Sequence, residues 1–214
     1  MVYRTTPKMA ERKAAHRAHL LSTAVQLFGR NGYHATTVPM IVKEAGSSTG
    51  SFYFYFRNKE DVFAAVLERF GERIAEALNG AIAAAGDDPL SIMRAAVEEL
   101  VLFMAANPGE ARILIVETSG LGDALQKVRR SIVANHARSV ERALAELGRA
   151  LPPLNPTLAA RCWIGSVYES VYAWLELPVK QRPDAVVMAH AVSEFNLRGI
   201  GAWDQDWGSR RKLR

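Results

Sequence analysis

The sequence predicts an all-α fold of about nine helices, and three observations support this prediction. Apolar residues recur at spacings of three and four, as Leu20, Ala24 and Phe28 do, which is the stripe of an amphipathic helix. Helix start and stop residues separate such segments, whereas no segment shows a convincing period-two alternation of a strand. The 214 residues are 49% hydrophobic and 23% charged, which is typical of a globular chain and not of a disordered one.

The first two helices are predicted from the residues at their ends. Helix one spans 11–29 and is ended by Gly32, because glycine adopts the left-handed conformation that follows many helices. The threonine pair at 36–37 offers an N-cap for a short helix two, with Pro39 near the first helical position. Helix two then stops before Gly46, which permits the positive φ of a tight turn.

A third helix is predicted to follow directly, capped by Ser47 or Ser48 and running through Phe56. Phe52 and Phe56 lie four residues apart and therefore share its inward face. The residues predicted to point outward are Gly50, Ser51, Tyr53 and Phe54. Two short helices joined by a glycine-containing turn predict a helix-turn-helix, a motif whose second helix enters the major groove of DNA.

The rest of the chain continues the helical pattern. Asn58 is a predicted N-cap for a long fourth helix, and Gly86 to Pro89 ends it. The remaining predicted helices span 89–106, 109–119, 123–150, 156–177 and 184–200. We expect two domains, a helix-turn-helix domain over 1–64 and a larger helical domain over 65–214.

Positive charge is concentrated at the start of the chain. The first 60 residues hold nine Lys or Arg against three Glu, a net charge of +6, within a total of +5. Residues 61–209 sum to −5, and a basic tail over 210–214 adds +4. A basic head on a mildly acidic body predicts that the head binds a polyanion. On charge alone, a solvated charged face remains the alternative.

Two observations concern the compartment. No run approaches the roughly 18 apolar residues of a membrane span, and the N-terminus has no signal-peptide pattern, so we expect a cytoplasmic protein with no membrane contact. Cys162 is the single cysteine, which excludes an internal disulfide and a multi-cysteine zinc site. We expect it to be a small buried hydrophobe, with a redox-sensing or nucleophilic thiol as the alternative.

Residues 46–50 fit the pattern G-x-S-x-G, in which Ser48 would be a catalytic nucleophile. That pattern needs a preceding strand, whereas 38–45 carries helix start and stop signals. We therefore predict no catalytic residue, no enzyme activity and no cofactor. His16 and His19 lie three apart on helix one without a third ligand, so we expect a solvated pair and no metal site.

The segment from about 17 to 66 resembles the TetR family of bacterial transcriptional regulators. The matching residues are Leu27-Phe28, Gly32-Tyr33, Thr36-Thr37-Val38, Ile41, Ala45-Gly46 and Ser48-Thr49-Gly50-Ser51-Phe52-Tyr53-Phe54-Tyr55-Phe56-Arg57-Asn58-Lys59-Glu60-Asp61. It departs from the family pattern at Val42 and Ser47. The rest of the chain resembles the family in length, helix count and lack of sheet. The resemblance implies a regulator that binds double-stranded DNA as a homodimer and senses a small molecule.

The resemblance also implies which residues contact DNA. Thr36 and Thr37 would start helix two at the DNA backbone, and Lys59 would meet a phosphate as a point charge. The residues implied in contact through helix three are Ser48, Thr49, Gly50, Ser51, Tyr53, Phe54 and Tyr55. Simple capping for the threonines and core packing for Tyr55 remain alternatives.

None of the base-reading residues is an Arg, Asn or Gln that could make a bidentate contact to a base. We therefore expect specificity from hydroxyl groups, thymine methyl contacts and DNA shape. The flexible arm that we expect to assist carries Arg4, Lys8, Arg12 and Lys13.

In the body, the resemblance implies a homodimer through the last two helices, over 156–177 and 184–200. The operator would then be a near-palindrome with half-sites roughly 34–36 Å apart. The candidate lining of an effector pocket is Phe103, Met104, Ile113, Glu117, His136, Trp163, Tyr168, Tyr172 and Trp174. Each of these could instead be core; His136 and Glu117 are the candidates for orienting a ligand.

The sequence thus predicts a ligand-responsive repressor that a small, largely apolar effector releases from DNA. One alternative is a helical small-molecule-binding protein with only non-specific DNA affinity. The other is a helical interaction protein whose basic head is incidental.

Overall fold

The computed structural model of the chain describes residues 7–118, 120–147 and 155–201. Within these ranges it holds nine α-helices and no strand, which confirms the predicted all-α fold. The helices are α1 (Pro7–Ala35), α2 (Val38–Glu44), α3 (Thr49–Tyr55), α4 (Lys59–Ala84), α5 (Pro89–Ala106), α6 (Pro108–Arg112), α7 (Asp123–Leu147), α8 (Pro156–Glu176) and α9 (Ala185–Gly199).

Side-chain caps fix the starts of the helices around the predicted turn. Thr37 accepts a hydrogen bond from the Met40 N–H, and Ser48 accepts one from the Ser51 N–H at 3.1 Å. Between them Gly46 has a φ of 56°, so the left-handed turn predicted at that glycine is confirmed. Local chemistry within about twenty residues therefore fixes where α2 ends and α3 begins.

The start of α1 corrects one prediction. Residues expected to form a flexible arm are helical from Pro7 onward, so Lys8, Arg12 and Lys13 lie on a helix surface. Arg4 and the basic tail over 210–214 fall outside the described residues. The predicted end of α7 at residue 150 also falls there, since the described helix ends at Leu147.

The segment predicted as one helix over 109–119 is divided. The short α6 continues into a π-helical turn over Ile113–Glu117. Such turns interrupt the regular hydrogen-bond ladder and occur often at functional sites. Here the π-helical turn and α6 both pack against α1, so this segment joins the body to the head.

The head consists of α1, α2 and α3 around buried aromatic residues. Phe28 contacts Phe63 of α4 with their ring centroids 5.0 Å apart, and Phe52 is fully buried. In the body, α5 packs on α9 and α7 on α8, while α4 packs on both α5 and α7. The predicted domain boundary at residue 64 falls inside the continuous helix α4, which reaches from the head core into the body. No helix in the described residues is long and apolar enough to cross a membrane.

Candidate nucleic-acid interface and ligand cavity

The outward face of α3 is open to solvent. Tyr53 is 54% and Phe54 66% exposed, and Ser48, Thr49 and Gly50 are exposed at the helix start. Exposed aromatic side chains of this size are unusual on a seven-residue helix whose other face is core. The face is therefore available to a partner.

Two histidines of α1 hold the helix-turn-helix together. The Nε2 of His16 lies 2.9 Å from the Ser51 hydroxyl and 3.0 Å from the Ser47 hydroxyl. The Nε2 of His19 lies 3.2 Å from the Ala45 carbonyl oxygen. The prediction of a solvated pair holds for His19, which is exposed, and is wrong for His16, which is half-buried; the turn brings hydrogen-bonding groups from 26 to 35 residues further along the chain onto both rings. The Ser51 side chain is consequently engaged by α1.

Thr36 and Thr37 have different roles in the structure. Thr36 is fully buried and its hydroxyl donates to the carbonyls of Gly32 at 2.8 Å and Leu27 at 3.2 Å. The prediction that Thr36 contacts a phosphate is therefore wrong: its side chain closes the end of α1. Thr37 is exposed at the N-terminus of α2, where its position remains compatible with a phosphate contact.

Lys59 lies across the end of α1. Its ammonium group donates to the Tyr33 carbonyl at 2.9 Å and sits 4.2 Å from the centre of the Tyr33 ring. The Tyr33 hydroxyl donates to Glu60 at 2.8 Å, and this bond is the main cause that lowers the pKa of the Glu60 carboxyl. Burial raises the pKa of Tyr33, so the phenol stays protonated and keeps donating. Lys59 is half-buried, and these contacts hold its charge at the end of α1.

Cations of α1 lie against the aromatic residues of α3. Lys13 is 5.2 Å from the ring centre of Phe54, and Arg17 is 5.2 Å from that of Phe56. Tyr55 is half-buried, packs on the core and has its ring centroid 5.8 Å from that of His16, which agrees with the packing alternative for this residue. Positive charge thus borders the exposed face of α3.

The body contains a cavity of about 640 Å³ enclosed by α4, α5, α7 and α8. This is within the roughly 300–1,000 Å³ typical of small-molecule sites. Two of the nine predicted lining residues, His136 and Trp163, line it. Its opening lies between α4 and α7, where the exposed lining residues are Glu68, Glu72, Ala75, Asn79, Lys127, Ser131, Asn135 and Ser139.

Seven predicted lining residues lie elsewhere. Tyr168 and Tyr172 border a smaller pocket of about 200 Å³ with Arg129. Met104 and Ile113 are fully buried core residues, and the Phe103 ring packs on Phe70 at a centroid distance of 5.8 Å. These corrections share one cause: apolar periodicity marks the buried side of a helix and does not distinguish a packed neighbour from a gap.

Glu117 and Trp174 have structural contacts instead. The Glu117 carboxylate accepts the Tyr33 N–H at 2.9 Å and lies 3.8 Å from Arg112. A Cβ at Gly32 would be 3.0 Å from that carboxylate, and Gly32 has a φ of 78°, so glycine is required there for two reasons. The Trp174 indole N–H donates to the Pro183 carbonyl at 3.0 Å. Glu117 therefore ties the body to the end of α1 and does not face the cavity.

The α4 wall of the cavity was not predicted. Gly71, Leu78 and Ile82 line the cavity from α4, on the helix that also packs into the head. The available signal was the run of small and apolar residues over 75–85, which is longer than a helix packed on one side needs.

Other exposed residues lie on α8 and α9. Cys162 is exposed on α8, so the prediction of a buried hydrophobe was wrong: the inward positions of that helix are taken by Trp163, Val167 and Val171. On α9, Phe195 is 69% exposed. The other exposed large apolar residues of these helices are Leu158, Tyr172, Val186 and Val187.

A helix-turn-helix with an exposed second helix, bordered by cations and joined to a helical body with a cavity, defines a DNA-binding regulator of the helix-turn-helix class. Residues 20–66 match the family model described as bacterial regulatory proteins, tetR family. Over these residues the chain belongs to the TetR family of transcriptional regulators, and the relatives that match it are named as regulators.

Among the curated relatives, the fatty acid metabolism regulator protein of Bacillus subtilis is 26% identical over 192 residues, covering 85% of this chain and 93% of the relative. The regulator AcrR of Shigella flexneri is 35% identical over 78 residues, 36% of each chain. Of the solved structures, FadR from Bacillus subtilis in complex with stearoyl-CoA has a TM-score of 0.75 at 24% identity, covering 86% of this chain and 98% of its own. At that identity the match shows the shared fold.

Proposed function

We propose that the protein is a ligand-responsive repressor that binds a near-palindromic operator as a homodimer and is released by a largely apolar effector. The observation that carries the DNA-binding part is the exposed face of α3, with Tyr53 and Phe54 open to solvent beside the cations of α1. We propose that Thr37, at the N-terminus of α2, and Lys59, at the N-terminus of α4, contact backbone phosphates. We assign the DNA-binding domain to residues 1–64 and the effector and dimerisation domain to 65–214, with α4 shared between them.

The exposed face of α8 and α9 supports the homodimer. Large apolar side chains exposed to water are typical of an interface, and those on α8 and α9 include Leu158, Tyr172, Val187 and Phe195. The opposite sides of both helices pack inside the chain, through residues such as Val167 and Leu197. Burial against a second copy of the same face would form a two-fold dimer with two recognition helices.

The cavity supports an effector with a long apolar part. Its inner wall is mostly aliphatic, and its volume suits a small molecule. The relative FadR was solved in complex with stearoyl-CoA, and the Bacillus subtilis regulator of fatty acid metabolism aligns along most of this chain. A fatty acyl compound is therefore the class of effector that we propose.

Helix α4 offers the route from the cavity to the DNA. It lines the cavity through Gly71 and Leu78, and it packs into the head through Val62 and Phe63. An effector that displaces α4 from α7 would move the head and alter the spacing of the recognition helices. The effector must bind the DNA-incompetent arrangement more tightly, because equal affinity for both states shifts neither population.

Selection of bound sequences from a random duplex pool, at a stated salt concentration, tests the DNA-binding part. A palindromic consensus supports a specific dimeric regulator. Strong binding without a consensus would favour the alternative of a small-molecule-binding protein with non-specific DNA affinity, because phosphate contacts alone carry no sequence information. A Tyr53→Ala variant, changed on the exposed face alone, should lose selectivity while its thermal stability is retained.

The homodimer is tested with Phe195→Glu, which places a charge on the exposed face of α9. We expect a monomer by analytical ultracentrifugation, because a desolvated carboxylate disfavours the interface. Met9→Glu, at an exposed apolar position of α1, serves as the control and should stay dimeric. Reaction of the Cys162 thiol gives an independent measurement: it should be slow in the dimer and fast in Phe195→Glu. Fast reaction in a stable dimer would place the interface elsewhere.

A further inference from the structure

The inner wall of the cavity carries two buried side chains with ring nitrogens, His136 on α7 and Trp163 on α8. They are 7% and 3% exposed. Every other polar side chain among the described lining residues is exposed, and these residues are Glu68, Glu72, Asn79, Lys127, Ser131, Asn135 and Ser139. The rest of the lining is glycine, alanine, methionine or aliphatic. A ligand inside the cavity therefore meets side-chain hydrogen-bonding groups at His136 and Trp163.

One imidazole nitrogen of His136 and the indole nitrogen of Trp163 have no hydrogen-bond partner among the described residues. The Nδ1 of His136 lies 3.1 Å from the Tyr168 hydroxyl, whereas no described residue forms a hydrogen bond with its Nε2 or with the Trp163 indole N–H. Neither nitrogen is sealed inside the protein, since the described residues contain no fully buried side-chain nitrogen without a partner. A polar group left open in an apolar wall is typical of the few groups that orient a ligand.

The environment determines where the His136 proton lies. Burial lowers the pKa of His136 to about 4, so the ring is neutral near pH 7 and carries one N–H. Burial also raises the pKa of Tyr168, against a smaller opposite effect of the Arg129 charge, so the phenol keeps its proton. Within the described residues, the acceptor available to that phenol is His136 Nδ1. A phenol that donates to Nδ1 leaves the ring proton on Nε2.

We propose that the cavity selects compounds with a long apolar chain and an uncharged carbonyl group, as in a fatty acyl ester, thioester or amide. The carbonyl oxygen accepts a hydrogen bond from His136 Nε2–H, and the Trp163 indole N–H is a second donor on the same wall. This inference rests on the proposed function, in which the cavity is the effector site. It adds that His136 and Trp163 determine specificity.

A free carboxylate is disfavoured by the same geometry. It would have to lose its hydration in a wall whose buried groups are neutral. At the opening, the carboxylates of Glu68 and Glu72 face the single ammonium group of Lys127 among the exposed lining residues. An ester or amide avoids both costs and keeps the hydrogen bond, whereas a CoA thioester avoids the first cost and brings its phosphates to the opening.

The test uses ligand pairs that differ in one carbonyl group. The first pair is the dodecanoyl ester and the dodecyl ether of tetraethylene glycol, and the second is dodecanoyl-CoA and S-dodecyl-CoA. Titration calorimetry on the full-length protein, below micellar concentrations, should show the carbonyl compound binding about fivefold to tenfold more tightly within a pair, the net effect of one buried hydrogen bond. Dodecanoate should bind more weakly than the ester. Binding of the first pair alone would identify a neutral lipid as the source, and binding of the second alone a thioester.

Variants assign the preference to the two rings. His136→Phe should reduce the carbonyl preference to about one, and Trp163→Phe should reduce it in part, while affinity for the ether or thioether is kept. Ser139→Ala at the opening is the matched control and should keep the full preference. Tyr168→Phe, which removes the hydroxyl that fixes the His136 proton, should also lower the preference, and it gives a second test in case His136→Phe does not fold.

Equal affinity within both pairs, together with release of DNA by the ligands, would overturn the carbonyl inference and leave the cavity as the effector site. Dodecanoate binding as tightly as the ester would overturn the requirement for an uncharged group. If no compound binds, the inference and the proposed acyl effector both fail, whereas the DNA selection experiment still decides the DNA-binding part.

Discussion

The head and the body of this protein differ in what positions their functional residues. In the head, a cap residue and the N–H it accepts from are three residues apart, as with Ser48 and Ser51, and the exposed face of α3 follows directly. In the body, the cavity needs α4, α5, α7 and α8 at once, and its lining extends from Glu68 to Val167. Local chemistry therefore fixes the ends of α3, the helix that we propose to bind DNA, whereas the cavity proposed as the effector site depends on how distant helices pack.

The largest expected effect is on stability, and it compares the buried and exposed faces of α3. Phe52→Ala removes a fully buried ring from α3 and should lower the free energy of unfolding by about 3–5 kcal/mol. Phe54→Ala, two residues away but 66% exposed, is the control and should change stability by less than about 0.5 kcal/mol while weakening DNA binding. Urea denaturation and a gel shift measure both. Equal destabilisation by the two variants would contradict the buried and exposed faces described for α3.

The second effect is a change in stability with pH that originates at His136 in the body. The unfolded chain binds a proton at His136 below about pH 6.5, whereas the folded protein does so only near pH 4. The unfolded state therefore holds more protons between these values, and stability should fall as the pH falls from 6.5 to 4, by about 3 kcal/mol in total. Urea denaturation across this range measures the slope. His136→Gln should show a shallower slope; an unchanged slope would mean that His136 is not buried as described.

The third effect distinguishes Thr36 from Thr37, for which the same role was predicted from the sequence, by stability and DNA affinity. Thr36→Val keeps the shape but removes the hydroxyl that bonds the Gly32 and Leu27 carbonyls, so it should cost about 1–3 kcal/mol of stability. Thr37→Val removes an exposed cap and should cost about 1 kcal/mol, with a larger loss of DNA affinity. Denaturation and DNA titration on both variants make the comparison. A greater loss of stability in Thr37→Val than in Thr36→Val would contradict the structural role assigned to Thr36.

The smallest effect concerns the contact between head and body. Glu117→Ala removes the acceptor of the Tyr33 N–H and should lower stability by about 1 kcal/mol. Hydrogen exchange at the Tyr33 amide should become faster, because that N–H loses its partner. Glu117→Gln keeps an acceptor oxygen and should largely preserve the protection. If both variants exchange like the unmodified protein, this contact does not hold the head to the body.

Much of the fold could be predicted from the sequence. The caps at Thr37, Ser48 and Asn58, the turn at Gly46 and the bounds of α5 are where the residues indicated, since each depends on neighbours along the chain. Fewer of the predicted site residues lie where the sequence indicated. Thr36 is buried, Glu117 faces α1, and His136 and Trp163 alone of the nine lining candidates face the main cavity. The Glu117 contact and the cavity lining depend on residues tens of positions apart, which no local pattern encodes, and the Thr36 hydroxyl bonds carbonyls four and nine residues earlier.

The sequence by itself determined that the chain is helical, that its second and third helices form a helix-turn-helix and that positive charge lies at this end. It could do so because caps, turns and apolar spacing act over a few residues. Only the tertiary structure decided that His136 lines the cavity, that Cys162 is exposed and that α4 connects the cavity to the head. A cavity and an exposed face are properties of several packed helices, and the apolar pattern of any one helix is compatible with both a filled and an open space.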